Sequence, residues 1–264
     1  MIDKPIGPLP LDAPVPGSSF TDLLESIGAT PSFNFPPGAT MPSVPEGTTV
    51  LALRYDGGVV MAGDRRATEG HLVAHRRIRK VFPADHYSAV AIAGVAGLAM
   101  DMVRLFQVEL EHYEKIEGVR LTLDGKASFL ARLVRGQLPM AIQGLVVVPM
   151  FAGFDMKESA GRVYTYDVVG GRYEETDFGS TGSGSRLAKS YLRTVYRDEM
   201  PGDEAVANAV NALVAASSED TATGGPDLKR GILPNVVRID ADGVAELEDE
   251  TIFPLAESAV ENIR

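Results

Sequence analysis

The sequence has no cysteine, which excludes disulfides, thiolate nucleophiles and every cysteine-based zinc or iron–sulfur site. Histidine is scarce: His71, His75, His86 and His112 are the four, without an H-E-x-x-H motif, and they form no metal-spaced cluster. No metal or other cofactor is therefore expected. Long apolar runs are also missing; Ala89–Met100 reaches only twelve residues, too short to cross a bilayer. The first residues, Asp3 and Lys4 followed by prolines, carry no apolar core of a secretory signal, so a cytoplasmic location is expected. Positive charge is in deficit, with 25 Lys and Arg against 36 Asp and Glu. The resulting net charge of −11 sets the chain against nucleic acid and anionic membrane as partners. No Walker or G-x-S-x-G frame is present; Gly182-Ser183-Gly184-Ser185 reads as a tight turn opening a helix.

What remains is a globular composition, 45% hydrophobic and 23% charged over 264 residues, close to the limit for one core. The first 47 residues stand apart. They hold ten of the seventeen prolines, which disfavour sheet and long helix. Within them Ser19 can cap a short amphipathic helix carrying Phe20, Leu23, Leu24 and Ile27, with Gly28 to end it. This leader bears five acids against Lys4, a charge of −4, leaving −7 for the rest. It reads either as a disordered tail or as a segment that docks on a body through Phe20–Ile27.

From Thr48 the pattern changes. Thr49–Tyr55 and Val59–Gly63 form a hairpin around Asp56-Gly57-Gly58, and His86–Ala93 reads as a buried strand. A helix from Ala96 to Glu117 carries the stripe Ala99, Met102, Val103, Phe106, Leu110, Tyr113. A second helix is expected over Leu123–Leu138. Strands follow at Leu145–Phe154, Arg162–Val168 and Tyr173–Phe178, then helices at Ser185–Arg197 and Asp203–Ser218, then strands at Asn235–Asp240 and Val244–Leu247. Strands and helices come in blocks, as in an α+β fold with helices segregated onto sheets.

The chemistry concentrates where the leader ends, at Gly47-Thr48-Thr49. Were the Gly47–Thr48 bond cut, Thr48 would carry a hydroxyl and a free α-amine, whose pKa near ~8 suits it to accept the hydroxyl proton. Nucleophile and base then share one residue, and no histidine is needed. Lys80, among Ile78, Val81 and Phe82, needs a partner if buried, and Asp64 is available. Such an ammonium lowers the hydroxyl pKa or relays a proton. By spacing alone, Asp64 and Lys80 equally fit surface charges at strand ends.

The motifs G-T-T at 47–49, V-V-M-A-G-D-R-R at 59–66, R-K-V at 79–81, A-I-A-G-V-A-G at 91–97, T-G-S-G-S at 181–185 and E-D-T-A-T-G-G-P-D at 219–227 together resemble the 20S proteasome β subunits, most closely the actinobacterial branch. The likeness runs in order over Thr48–Asp240.

The resemblance implies an N-terminal nucleophile hydrolase, a four-layer αββα sandwich of two antiparallel sheets between helix layers. It implies residues 1–47 as a propeptide removed by self-cleavage at Gly47-Thr48, and 48–264 as the catalytic domain. Thr48 matches the nucleophile, Asp64 and Lys80 the acid–lysine pair, and Ser183, Asp220 and Thr223 the proton network, with threonine at 223 where many members have serine. Gly94 matches the oxyanion position. Thr68 and Ala96 match positions that pair with substrate backbone. Ala67, Ile78, Phe82, Ile92, Ala96 and Met100 match the specificity pocket, all uncharged, so cleavage after apolar or aromatic residues is expected. By the same resemblance the partners are other β subunits in two stacked seven-membered rings, flanking α-subunit rings, and an ATPase ring that delivers tagged, unfolded proteins.

Three alternatives sit beside this. A two-ring, HslV-like threonine peptidase shares the Thr-Thr start, but has Gly-Asp-Gly-Gln where this chain has Gly63-Asp64-Arg65-Arg66. A non-catalytic ring subunit would form a structural wall, and such subunits tend to lose the threonine or the lysine. A plain binding β-sandwich would be an unprocessed monomer.

Overall fold

A computed structural model describes residues 47–69 and 72–263. The helix expected over Phe20–Ile27, like most of the leader, lies outside them.

The architecture follows from strands that are apolar on both faces. In β1 (Thr49–Tyr55), Val50 and Ala52 point one way and Leu51 and Leu53 the other, and all four are buried. Its hairpin partner β2 (Gly58–Gly63) repeats this, with Val59 and Met61 on one side and Val60 and Ala62 on the other. A strand buried on both faces needs a layer above and a layer below. One is a second sheet and the other is helical.

The short hairpin β3 (Ala67–Glu69) and β4 (Leu72–His75) follows, then β5 (Val81–Asp85) and β6 (Ser88–Gly94). Helix α1 (Ala96–Glu117) buries Ala99, Met102, Val103, Phe106 and Leu110, while Tyr113, the last of the expected stripe, is exposed. Helix α2 (Leu123–Gly136) is capped by the Thr122 hydroxyl, which accepts from Gly125 N. The helix expected to run on to Leu138 stops at Gln137, and a separate turn, α3 (Leu138–Ile142), begins with Pro139 in its first turn. Strands β7 (Val147–Asp155), β8 (Ala160–Tyr166), β9 (Arg172–Glu175) and β10 (Phe178–Gly182) precede α4 (Ser185–Val195) and α5 (Gly202–Glu219). The chain closes with β11 (Asn235–Asp240), β12 (Gly243–Glu246) and α6 (Asp249–Ile263).

Two five-stranded antiparallel sheets result, ordered β10-β1-β2-β11-β12 and β5-β6-β7-β8-β9. Their facing sides share a core that includes Val50, Met61, Ala91, Met150 and Ile239. The outer face of the first sheet packs on α4, α5 and α6, and that of the second on α1 and α2. This is the expected four-layer αββα sandwich.

Three departures have physical causes. The single strand expected over Tyr173–Phe178 is two strands in different sheets, separated at Thr176-Asp177, whose carbonyls accept from Arg54. Strand β5 contains Pro83, tolerated because β5 lies at a sheet edge and the pairing is irregular there. Helix α6 went unforeseen because Pro254 lies inside it, although Ile252, Ala256 and Ala259 recur at helical spacing and are buried. Among the described residues no helix is long and apolar enough to cross a membrane.

Candidate active site

The start of β1, the ends of β2, β6, β10 and α5, and the residue before β5 meet at one end of the sandwich. They bring Thr48, Asp64, Lys80, Gly94, Ser183, Asp220 and Thr223 into one region.

Asp64 and Lys80 form its buried centre. Lys80 Nζ donates to Asp64 Oδ1 at 2.6 Å, with the two side chains 3% and 0% exposed. Such a pair is tolerable only with its remaining valences filled. Asp64 Oδ1 also accepts from Thr49 N at 2.8 Å, and Oδ2 accepts from Arg66 N and Gly224 N, each at 2.9 Å. Lys80 Nζ donates further to Arg66 O at 2.5 Å and to Gly47 O at 3.1 Å. Burial lowers the Lys80 ammonium pKa below the ordinary lysine value, and the Asp64 carboxylate only partly restores it. Lys80 is thus a cation that readily gives up a proton, aimed at the Gly47 carbonyl.

Thr48 sits between Gly47 and this pair. Its hydroxyl donates to Gly47 O at 2.8 Å, so the same carbonyl oxygen receives hydrogen bonds from Thr48 and Lys80.

A second network lies on the far side of Thr48. Ser183 N donates to Thr48 O at 2.8 Å, and Ser183 Oγ donates to Asp220 Oδ2 at 2.6 Å. Thr223 Oγ1 donates to the same Asp220 oxygen. Because its one proton is used there, Thr223 Oγ1 accepts from Thr49 Oγ1, 2.6 Å away, and Thr49 Oγ1 in turn accepts from Gly184 N at 2.9 Å. The relay is directional, running from Gly184 N through two hydroxyls to Asp220. Burial raises the Asp220 pKa, but the hydrogen bonds from Ser183, Thr223 and the backbone of Ala222 and Thr223 win and hold it below the usual carboxylate range. The extra methyl of Thr223 does not displace its hydroxyl from this network.

Gly94 ends β6 with φ +110°, where a Cβ would lie 2.1 Å from Val146 O. It borders a small pocket that also touches Gly47, Thr48 and Lys80. The apolar wall of that pocket is Ala67, Ile78, Ile92, Ala96 and Met100. Phe82 is not on it; the side chain is buried in the core against α1, with the Arg79 guanidinium 5.4 Å from its ring. Thr68 is buried in β3 beside Gly47, whose Cβ, were there one, would meet the Thr68 hydroxyl.

Four participants were not singled out from the sequence. Thr49 bridges both networks, through its N–H to Asp64 and its hydroxyl to Thr223. Arg66 N and O hold Asp64 and Lys80, and its Nη1 donates to Thr221 O and Thr223 O. Gly224 supplies a donor to Asp64, and Arg79 lines the pocket. The second threonine of Thr48-Thr49 and the second arginine of Gly63-Asp64-Arg65-Arg66 stood in the quoted motifs. Their roles depend on a loop 155 residues downstream for Arg66 and 174 for Thr49, which no local pattern exposes.

Comparison with known proteins identifies the family. Residues 44–227 match the Proteasome family, described as proteasome subunit. A protein of Acidothermus cellulolyticus named proteasome subunit beta is 52% identical over 229 residues, covering 85% of this chain and 79% of its own. One of the same name from Acidimicrobium ferrooxidans is 51% identical, covering 91% of this chain and 88% of its own. A third, from Streptomyces griseus, is 48% identical and covers 97% and 92% respectively.

Proposed function

The chain belongs to the proteasome subunit family as a β subunit of the bacterial type, and on that premise we propose that it is the precursor of a threonine endopeptidase which frees its own nucleophile by cutting Gly47–Thr48. Peptidase activity and assembly with other subunits belong to the family; the threonine chemistry is our reading. The observation that carries it is the doubly held carbonyl: Gly47 O accepts from Thr48 Oγ1 at 2.8 Å and from Lys80 Nζ at 3.1 Å.

In the precursor, rotation about the Thr48 Cα–Cβ bond turns an Oγ1 lone pair toward the Gly47 carbonyl carbon. With no free amine present, a water takes the hydroxyl proton. The Oγ1–C bond forms, the carbonyl oxygen becomes an oxyanion, and Lys80 stabilises it. The C–N bond then breaks, Thr48 N is protonated, and Gly47 is left as an ester on Thr48. Water hydrolyses the ester, releasing the leader with a carboxylate at Gly47 and baring the α-amine.

On substrates the cycle repeats with that amine as base. It is held near Ser183 and Asp220, and its pKa near ~8 leaves a useful neutral fraction. Thr48 Oγ1 attacks the peptide carbonyl, the Gly94 N–H faces the developing charge, and Lys80, neutralised by Asp64, tunes the hydroxyl. Thr68 and Ala96 pair with substrate backbone as an added strand would. The apolar wall favours cleavage after apolar or aromatic residues.

We read residues 1–47 as the propeptide and 48–264 as the catalytic domain of a cytoplasmic particle, built of two stacked seven-membered β rings between α rings. An ATPase ring supplies unfolded, tagged proteins, and the chemistry on this chain needs no cofactor. Retention of Thr48, Asp64, Lys80, Ser183 and Asp220 favours the enzyme over a structural ring subunit. Intact mass of the assembled particle is the test: loss of residues 1–47 in the wild type and a full-length chain in Thr48→Ala support the reading. A wild-type chain left full length, or a Thr48→Ala particle that still degrades protein, overturns it.

A further inference from the structure

Val81 follows Lys80 and starts an edge strand. Lys80 O accepts from Ile92 N, inward to β6. By antiparallel alternation the N–H and C=O of Val81 point outward, where no strand lies among the described residues. Side chains satisfy both. Val81 N donates to Asn235 Oδ1 at 3.1 Å, and Arg79 Nε donates to Val81 O at 2.8 Å. The two side chains meet on one carboxylate: Asn235 Nδ2 donates to Glu246 Oε1 at 2.9 Å, and Arg79 Nη2 to Glu246 Oε2 at 2.8 Å. The ring closes from Val81 through Asn235, Glu246 and Arg79 back to Val81.

The ring joins the two sheets beside the catalytic lysine. Asn235 and Glu246 belong to β11 and β12 of one sheet, and Val81 to β5 of the other. The Lys80–Asp64 pair crosses the same gap, because Asp64 follows β2 and Lys80 precedes β5. The residue types are specific to the task. Asn235 must accept from a backbone N–H and donate to a carboxylate at once, which an amide does and a carboxylate does not. Arg79 must reach two acceptors with separate nitrogens, which a lysine cannot. As a plain surface ion pair, Arg79–Glu246, with side chains 39% and 43% exposed, would contribute little to stability.

We propose that Arg79, Asn235 and Glu246 are positioning residues for the peptidase reaction, a clamp on Val81 that fixes where Lys80 stands relative to Asp64 and the reacting carbonyl. The inference rests on the threonine mechanism above. On an uncharged apolar peptide, whose binding a freed Arg79 at the pocket edge disturbs least, a clamp of this kind acts on the chemical step.

The test uses assembled particles of wild type, Glu246→Ala, Asn235→Ala and Thr48→Ala, with kcat expressed per site labelled by a threonine-directed electrophile. Glu246→Ala is expected to lower kcat about tenfold with KM unchanged, since sub-ångström misplacement at a reacting centre has effects of that order. Leader removal slows in parallel. Loosening changes both the burial and the Asp64 contact that set the Lys80 pKa, so the limb of the pH–rate profile that Lys80 sets moves. Glu246→Gln, which keeps one of the two acceptor contacts, is expected to fall between. Asn235→Ala is buried and is the variant at risk of misfolding; Glu246→Ala, near the surface, keeps the test decisive. Wild-type kcat per labelled site, with an unmoved pH profile, in Glu246→Ala overturns the clamp. A Thr48→Ala particle that still cleaves overturns the threonine mechanism instead, so the two failures read out separately.

Discussion

A Cβ on Gly182 would lie 1.9 Å from the carbonyl oxygen of Thr48, and Gly182 holds φ +99°. The residue thus presses backbone against backbone at the point where β10 crosses the start of β1, in register with Thr49. Its successor, Ser183, donates its N–H to that same Thr48 oxygen. Gly182→Ala must push β10 away and take Ser183 with it. The positive φ alone costs about 1–2 kcal/mol for a residue with a side chain, and the overlap adds to this. The expected result is a chain that keeps its leader and melts at lower temperature, read by intact mass and thermal denaturation. Leader removal at the wild-type rate would contradict the contact.

Lys80→Met keeps the length and removes the charge. Asp64 then retains its backbone donors but loses its cation in a buried site, and breaking such a pair costs about 3–5 kcal/mol. The pH dependence has a definite sign. Burial depresses the folded Lys80 pKa below its ordinary 10.5. Between the depressed value and 10.5 the unfolded chain binds a proton that the folded chain does not, so stability rises with pH across that window. Denaturant unfolding of Thr48→Ala and of Thr48→Ala/Lys80→Met across alkaline pH is expected to show this rise only in the former. Equal slopes would mean that Lys80 does not titrate in the folded site.

Asp220 behaves in the opposite, acidic range. Its folded pKa lies below the ordinary 3.8, because the donors from Ser183, Thr223 and the following backbone outweigh burial. The stability it contributes is therefore complete above that ordinary value and is lost as pH falls through the folded one. Asp220→Asn keeps an oxygen acceptor but no charge. The gap in unfolding free energy between wild type and Asp220→Asn is expected to be full at about pH 6 and to narrow as pH falls below the ordinary 3.8. A gap that is constant with pH would show that Ser183 and Thr223 are held by something other than the carboxylate.

The fold was largely legible because its strands are apolar on both faces and its helices are long and periodic. β1, β2, α1 and α5 fall within a residue or two of their expected bounds. What escaped was set by tertiary contact. Nothing local in Tyr173–Phe178 says that the chain changes sheets at Thr176-Asp177; that depends on Arg54, in a strand more than a hundred residues away. The charged and hydroxyl members of the candidate site could be assigned to positions because their motifs are ordered along the chain, and the structure brings them together. Phe82 could not be placed by the same route. It pairs with Val90 in regular register, so strand alternation turns Val81 toward the facing sheet and Phe82 into the core under α1, an orientation that a motif match does not carry.

The pocket beside Thr48 leads to a prediction about substrate choice. Ala67, Ile78, Ile92, Ala96 and Met100 offer no hydrogen bond to a charged side chain. Arg79 borders the same space, but its guanidinium is engaged with Val81 O and Glu246, and Lys80 is spent on Asp64. An acidic or basic residue entering there would leave its charge unpaired, a state that proteins avoid. Among fluorogenic peptides differing only in the residue before the cut, kcat/KM is expected to be at least about tenfold higher for leucine or phenylalanine than for glutamate or arginine. Ala96→Val narrows the wall by two methyl groups, and the loss should fall on phenylalanine and spare alanine. A wild-type preference for the acidic peptide would place the Arg79 guanidinium inside the pocket, unpaired from Glu246, and would assign specificity to that cation in place of the apolar wall.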